Sequence, residues 1–530
     1  MAGKETTRIP RPGELAATPS DVPVGLGDLT DELLAADVWT DDMVVRAGIP
    51  IRDVPFVTVG GGIGSFVTVD YLRIAGVHPD QIRVLTVLDR PWQTYEYLTR
   101  VSQIPAGERL RSDSASRPDN IWGFPSYAVA EAFSARSLRG FLSPLLQIAV
   151  EPIFADYYTP KAGQVFKALD RERDRIGYDA MVVRGQVRMV RRRHGGGYFS
   201  VSTPPDGSSS TKRIAYRSRF VHVAVGYPGL KFLPDLQNYR EEHQDYQRVV
   251  NAYEPHEHVY EKLRQQPGTV LLRGGGIVAS RILQRVFDDR HQKGAQTEVV
   301  HLFRTYVAGA HGPNIWMRRP GADGWAYQGF NYPKSVWGGQ LKYRMRKLEG
   351  KERADLYKVF GGTNTPKRSL WRRQLREGRQ GGYYKTVTGE VLEVMPGGNG
   401  GVVTRVQTSD GVLELKADFI IDATGLEADI GEHRLLADLL EHGGAGRNPL
   451  GRLDVEQTFE LRGTANGDGA IYASGTATLG GYFPGVDTFL GLQIAAQEIC
   501  DDLARRGFCR RIRVIRSTAQ WLKWARGKKI

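Results

Sequence analysis

Twice along the chain an apolar, β-type run passes through a glycine-rich turn into helix-type spacing. Val54–Val59 is short, apolar and rich in β-branched residues, as expected of a strand buried on both faces. Phe66–Ile74 follows with helical spacing, and Ile82–Leu88 reads as a second strand ending at Asp89. About 210 residues later the pattern repeats. Thr269–Leu272 runs into Arg273-Gly274-Gly-Gly276-Ile, a helix-type segment follows, and Glu298–Phe303 reads as the matching second strand. Around these units, residues 30–48 predict a short amphipathic helix. Tyr178–His194 and Tyr198–Val201 predict a hairpin turning at Gly195–Gly197. The Arg219–Val225 strand stops at Gly226-Tyr227-Pro228. Residues 401–408 and 411–416 predict a second hairpin around Asp410-Gly411. Strand-to-glycine boundaries recur at Ala417–Asp422, which leads to Thr424-Gly425, and at Ala470–Ala473, which leads to Ser474-Gly475. Asp487–Leu503 reads as a helix, whereas 311–384 is rich in Trp, Tyr, Gly and Arg without clean periodicity.

Each glycine turn has a physical purpose. The first glycine lets strand turn sharply into helix, and the second lets backbone N–H groups approach a pyrophosphate. A small third residue lets helix pack on strand, and the helix N-terminus faces the phosphates with its positive end. These roles fall to Gly60, Gly62 and Ser65, with Gly64 between, and to Gly274, Gly276 and Ala279, with Ser280 after. Asp89, with Arg90 beside it, stands where an acid bonds the adenosine ribose, which suits FAD or NAD. In the second unit Arg304 occupies that place and favours the 2′-phosphate of NADPH; a solvated arginine at a strand end is the alternative. Arg281 is a second candidate for the phosphate. Two intact turns predict two dinucleotide sites and electron transfer between their cofactors.

At 530 residues the chain predicts two or three domains. It has no apolar stretch of about 18 residues and no apolar N-terminal signal region, so the expected location is the cytoplasm. Residues 1–23 are polar and proline-bearing, the composition of a disordered tail. The two cysteines, Cys500 and Cys509, form no C-x-x-C or C-x4-C pattern, which argues against a catalytic dithiol and a cysteine-ligated metal. His256 and His258 lack a third ligand at usable spacing, so no metal is expected. The net charge is +13, and residues 505–530 carry ten Lys/Arg and no Asp/Glu. That tail is either a solvated basic segment or a contact for a membrane surface or an acidic partner; no nucleic-acid partner is expected. Lys367–Arg379, also basic, could line an entry path for NADPH or an anionic substrate.

The order of these features resembles the two-dinucleotide-binding-domain flavoproteins, and within them the class B flavin-dependent monooxygenases. An FAD turn is followed by a strand ending in Ala224-Val-Gly-Tyr-Pro228, an NADPH turn, a strand ending in Asp422-Ala-Thr-Gly425-Leu, and a late strand ending in Ser474-Gly475. Gly329-Phe-Asn331-Tyr-Pro333 and Gly362-Thr-Asn364 resemble stretches of the N-hydroxylating members, which act on amines such as ornithine and lysine. Here Thr365 replaces the tyrosine after the asparagine, and the F-x-G-x-x-x-H fingerprint of Baeyer–Villiger enzymes is absent.

The resemblance implies an α/β fold: an FAD-binding Rossmann-like domain with an inserted NAD(P)H-binding Rossmann-like domain. It implies NADPH-dependent monooxygenation of a small molecule with O2 through a flavin C4a-(hydro)peroxide, with an amine nitrogen the favoured target. A reductase that passes electrons to a protein or quinone is the alternative. The expected layout is a tail and helix over 1–49, FAD domain over 50–235, NADPH insertion over 236–384, FAD domain again over 385–505 and a basic tail over 506–530. Expected FAD contacts are Gly60, Gly62, Gly64, Ser65, Asp89, Arg90, Ser112, Gly475, Asp487 and Thr488, the last two alternatively a simple helix cap. Expected NADPH contacts are Gly274, Gly276, Ala279, Ser280, Arg281, Arg304, Thr424 and Gly425. Asn364 and Asn331 are candidates beside substrate and nicotinamide, and no catalytic base is evident.

Overall fold

The computed structural model describes residues 27–108, 124–154, 160–205, 212–312, 320–328, 340–360, 365–366, 369–398, 400–483 and 485–530. Two parallel five-stranded sheets organise it. The first has the order Ala470–Ala473, Phe220–Val223, Phe56–Val59, Ile82–Thr86, Val182–Arg184. Phe56–Val59 is buried at every position, as its unbroken apolar run requires. One face carries the helices Ile63–Ile74, Ala162–Ile176 and Phe489–Arg505 through Phe66, Leu72, Leu169 and Ile499. The other face packs on Leu435, Leu436 and Leu439 of the Arg434–Glu441 helix and on Val187 and Tyr198 of an antiparallel sheet. The second parallel sheet has the order Val249–Asn251, Phe419–Asp422, Gly268–Arg273, Thr297–Phe303, Tyr384–Thr388. It is covered by the Ile277–Lys293 helix on one face and by the Glu390–Ala417 antiparallel strands on the other.

Both glycine turns thus sit in strand–helix–strand units. Three expectations change. The helix read over 30–48 is two short helices, Asp31–Ala35 and Asp41–Arg46, begun by Thr30 and Thr40 as N-caps. Val38–Trp39 pairs with Arg192–Arg193 between them, and the buried Trp39 indole donates to the Leu33 carbonyl at 2.8 Å. In the first hairpin the strand starts later than read: Tyr178–Met181 is a 3-10 turn, Val182–Arg184 joins the first parallel sheet, and only Gln186–Arg193 pairs with Tyr198–Thr203.

The third change concerns the insertion. The boundary read at 384/385 cuts through a strand of the second sheet, and Phe419–Asp422 lies near the middle of that sheet. Phe419–Asp422 is wholly buried and has a neighbour on each side in the second sheet, Val249–Asn251 and Gly268–Arg273. The chain enters and leaves the insertion along Gly229–Leu230 and Leu426–Glu427, which pair antiparallel. Within the insertion, Gly350–Phe360 turns back onto the first unit. The buried Arg353 donates from Nε to the Gly480 carbonyl at 3.0 Å, and Arg346 pairs with Glu498 at 3.2 Å.

The basic C-terminal tail is docked. Val514–Ala525 is a helix whose Trp524 packs into the first core, Arg171 donates to the Trp524 carbonyl, and Arg73 donates to the Ile530 carbonyl at 3.1 Å. Val514 and Ile515 remain exposed. Among the described residues no helix is long and apolar enough to cross a membrane.

Candidate dinucleotide sites and the cleft beside them

The two turns are built alike. Gly60 and Gly274 both take φ +118°, and an added Cβ would lie 2.2 Å from the Ala224 carbonyl oxygen and 2.4 Å from the Ala423 carbonyl oxygen, respectively. Each first glycine is therefore wedged under the strand that crosses beside it. The glycine that opens each helix differs. A Cβ on Gly62 would find only the Pro91 carbonyl at 4.0 Å, and one on Gly276 would find nothing within 4 Å. Neither helix N-terminus has a side-chain cap. Open space against helix-start amides is what an approaching diphosphate needs, so the residues present fit a dinucleotide at both places.

At the first turn, a Cβ added to Gly64 would lie 3.2 Å from both Ala224 Cβ and Ser474 Oγ. Ser65 is fully buried, with its hydroxyl 2.9 Å from Thr58 Oγ1. The packing role of the third small residue is thus shared by Gly64 and Ser65. Thr58 Oγ1 lies 3.0 Å from His222 Nδ1, and His222 Nε2 lies 2.9 Å from Ser474 Oγ. Burial pushes the His222 imidazole down to about 3, so the ring is neutral. This polar link ties three neighbouring strand ends together beneath the turn. Gly475, at φ +81°, follows directly.

Asp89 borders a cavity of about 240 Å³ that Gly61, Thr86, Leu88, Tyr178 and Arg184 also line. It pairs with Arg184 at 2.8 Å, and its N–H donates to Gln93 Oε1. Arg90 pairs with Glu96 at 2.7 Å. Ser112, Asn331 and Asn364 lie outside the described residues.

At the second turn Ala279 and Ser280 are buried, and Ser280 Oγ donates to the Ile277 carbonyl at 2.7 Å. Arg281, the second candidate for the phosphate, is engaged within the protein. Its side chain is buried and pairs with Glu108 of the first unit at 2.6 Å; Arg285, one turn on, donates to Gln103 Oε1. The cause is helical spacing: positions four apart on this helix share the face turned to the first unit. Arg304 is exposed at the end of the Thr297–Phe303 strand, on the edge where the turn opens. Thr424 donates from N–H and Oγ1 to Asp422 Oδ1 at 3.0 and 2.6 Å, and Gly425 has φ +138°. Asp422 also accepts from the Leu233 N–H, so it knots the two crossings of the insertion together; burial raises its carboxyl above the usual range.

Beside the start of the Phe489–Arg505 helix is a cleft in which Asp487 and Tyr227 are accessible to solvent yet largely surrounded by protein. Thr488 is that helix's N-cap: Oγ1 accepts from the Gly491 N–H at 3.1 Å and donates to the Gly485 carbonyl at 2.7 Å. Asp487 is open to the cleft yet enclosed by protein on most sides, and this desolvation raises its carboxyl above the usual range. Tyr227, from the first unit, lies within electrostatic reach of Asp487, Tyr253, Tyr357 and Arg452. Burial raises all three phenols, Tyr253 to about 12. Both units and the returning Gly350–Phe360 helix thus contribute to one aromatic wall.

Outside the cleft, His256 Nδ1 bonds to the Glu254 carbonyl and His258 Nε2 donates to the Gln247 carbonyl. Among the described residues no group of three or more His, Cys, Asp or Glu is placed to hold a metal. Cys500 and Cys509 Sγ lie 3.7 Å apart, a proximity their spacing of nine does not announce. Sequence reasoning also passed over Thr86, His222, Tyr227, Glu108 and His301. A signal was present for the histidines: His222 stands between Val221 and Val223, and His301 between Val300 and Leu302, each a polar position inside a buried apolar strand.

Neither a protein-family model nor a curated protein sequence matches the chain. Solved structures do. Ornithine hydroxylase PvdA from Pseudomonas aeruginosa aligns at TM-score 0.61 and 15% identity, over 86% of this chain and 100% of that one. The ornithine N-hydroxylase KtzI from Kutzneria sp. 744, a complex of reduced FAD, NADP+ and L-ornithine, aligns at 0.58 and 15% over 86% and 100%. DfoA from Erwinia amylovora, a cadaverine monooxygenase bound to FAD, aligns at 0.58 and 13% over 86% and 94%. The chain has the fold of these proteins: two Rossmann-like α/β units, one inserted into the other.

Proposed function

We propose that this chain is an FAD- and NADPH-dependent monooxygenase that hydroxylates a small molecule, with an amine nitrogen the favoured target. The carrying observation is the matched pair of glycine turns. Each has its first glycine wedged under a crossing strand and its helix-opening glycine facing open space. In this reading the Gly60–Ser65 turn, Asp89 and Gly475 hold FAD, and the Gly274–Ser280 turn and Arg304 hold NADPH. Bound FAD would supply hydride acceptance from NADPH and activation of O2. The protein's own share is placement and water exclusion. The Phe489–Arg505 helix turns its positive end toward the cleft, and Tyr227, Tyr253 and Tyr357 line it. Asp487, the carboxyl in that wall, suits a cationic amine. An ornithine N-hydroxylase held with reduced FAD and NADP+, and an FAD-bound cadaverine monooxygenase, share the fold and support the reading.

The rival reading is a reductase that passes electrons to another acceptor. A thiol relay within this chain does not favour it. Cys500 lies eleven residues along the helix from Phe489, about 16 Å at 1.5 Å per residue, at the end away from the cleft. The test is anaerobic reduction of the FAD-loaded protein by NADPH, then mixing with oxygenated buffer and candidate diamines. Hydroxylated product in step with NADPH consumption supports the monooxygenase. NADPH consumption that ends only in peroxide or in a reduced external acceptor, with every amine tried, favours the reductase. No flavin reduction by either nicotinamide overturns both.

A further inference from the structure

In a planar peptide the carbonyl of one residue and the N–H of the next point in opposite directions. Pinning the carbonyl of the first glycine in a dinucleotide turn therefore aims the following N–H away from the pin. Both turns have such a pin, supplied from the neighbouring strand by unlike side chains. At the first turn Thr86 Oγ1 donates to the Gly60 carbonyl at 3.2 Å. At the second, His301 Nε2 lies 2.6 Å from the Gly274 carbonyl oxygen. A carbonyl only accepts, so Nε2 carries the proton. The buried ring is neutral, its value pushed down to about 4, so Nδ1 is an acceptor. The Tyr384 hydroxyl, 3.0 Å from Nδ1, is then its donor, and burial keeps that phenol protonated by raising it. Tyr384 begins the next strand, so the relay crosses three strands and ends on the turn. Phe303, Trp325 and Tyr384 surround the ring.

We infer that His301 is a positioning residue for the nicotinamide cofactor: through the Gly274 carbonyl it aims the Gly275 N–H at the diphosphate, as Thr86 does through Gly60 at the flavin site. This rests on the Gly274 turn binding NADP(H). It concerns affinity for the diphosphate, with no part in the chemical step.

The test compares H301L, which removes the donor, with H301Q, whose amide reaches about as far as Nε2 and restores one. Each is purified with FAD, and NADP+ affinity, FAD stoichiometry, Tm and the limiting rate of flavin reduction are measured. H301L is expected to bind NADP+ about tenfold more weakly, the loss of one aimed hydrogen bond to a charged group. FAD content and limiting reduction rate should stay near wild type, and H301Q should recover to within about threefold. T86V should lower FAD retention instead and leave NADP+ affinity unchanged. Should H301L not fold, Y384F decides, because Nδ1 then loses its donor, the bond from Nε2 to the Gly274 carbonyl loses its support and NADP+ should weaken several-fold. NADP+ bound by folded H301L (or, failing it, Y384F) as tightly as by wild type overturns the inference. So does equal weakening in H301L and H301Q with loss of FAD, the mark of a merely structural residue. A wild-type protein that binds no NADP+ overturns the proposed cofactor site, and this inference falls with it.

Discussion

Gly274→Ala and Gly276→Ala, two residues apart, should fail in opposite ways. At Gly274 the added methyl would sit 2.4 Å from the Ala423 carbonyl oxygen and 2.7 Å from its carbon, on a backbone at φ +118°. Strained backbone costs about 1–3 kcal/mol, and overpacking against a neighbour that cannot move costs a similar amount. The total of about 2–6 kcal/mol is a large part of the ~5–15 kcal/mol that holds a domain folded. At Gly276 the backbone is ordinary, φ −86° and ψ −173°, and the methyl meets nothing within 4 Å. A small gain from the stiffer unfolded chain and a small loss at the helix cap nearly cancel, so stability should change by less than about 1 kcal/mol. The methyl nonetheless occupies the space through which a diphosphate reaches the helix-start amides. Losing one hydrogen bond to a charged group costs about 1.5–3 kcal/mol, or roughly 10–150-fold in affinity. Thermal unfolding, FAD content and NADP+ titration on both variants give the answer. G276A that keeps its Tm but loses NADP+ affinity, beside G274A that is unstable, supports the assignment of roles. G276A that binds NADP+ within twofold of wild type refutes it.

Arg304→Ala should raise the KM for NADPH about tenfold and leave that for NADH nearly unchanged, whereas Arg281→Ala, which breaks the pair with Glu108, should leave the ratio of the two alone; equal effects of Arg304→Ala on both cofactors would remove it from the 2′-phosphate. His222 and His301 are neutral in the fold at about 3 and about 4, below the ordinary 6.5. Their stabilisation is therefore complete above pH 6.5 and lost as pH falls, by up to about 1.4 kcal/mol per pH unit for each. Urea midpoints between pH 7 and pH 5 should fall less steeply in H222Q or H301Q, and an unchanged slope would count against the assignment. Cys500 is buried, with its thiol pushed up by the hydrogen bond to Cys509 and by burial, so iodoacetamide at pH 7 should label the half-exposed Cys509 first. Diamide should link the two within one chain, read as a protein that takes up no label until reduced, and unhindered labelling after diamide would show the sulfurs do not meet.

Local grammar carried much of the reading from sequence. Glycine spacing between a buried strand and a helix is a short-range pattern, so both turns, their strands and the hairpin around Asp410-Gly411 could be read without knowing what packs where. What local pattern does not show depends on distant partners. Arg281 looks like a phosphate ligand until Glu108, 173 residues earlier, is placed against it. The edge of the insertion was misread because Phe419–Asp422 has the same apolar pattern whichever sheet receives it. Only its pairing with Val249–Asn251 and Gly268–Arg273 decides. The helix over 30–48 was one amphipathic stretch by periodicity, but a buried Trp39 and two threonine caps divide it. The cleft was the least legible part, since Tyr227, Tyr253, Tyr357 and Asp487 come from four separated segments with no shared motif.

The pairing of Gly229–Leu230 with Leu426–Glu427 has a topological consequence. The chain leaves the first unit and re-enters it at the same point, with Leu230 opposite Leu426. Nearly two hundred residues are therefore joined to the first unit covalently through a single two-stranded ribbon, and closing that ribbon with a tight β-turn would delete the whole inserted unit without moving either end. Such a geometry lets an inserted unit be gained, lost or exchanged in one step.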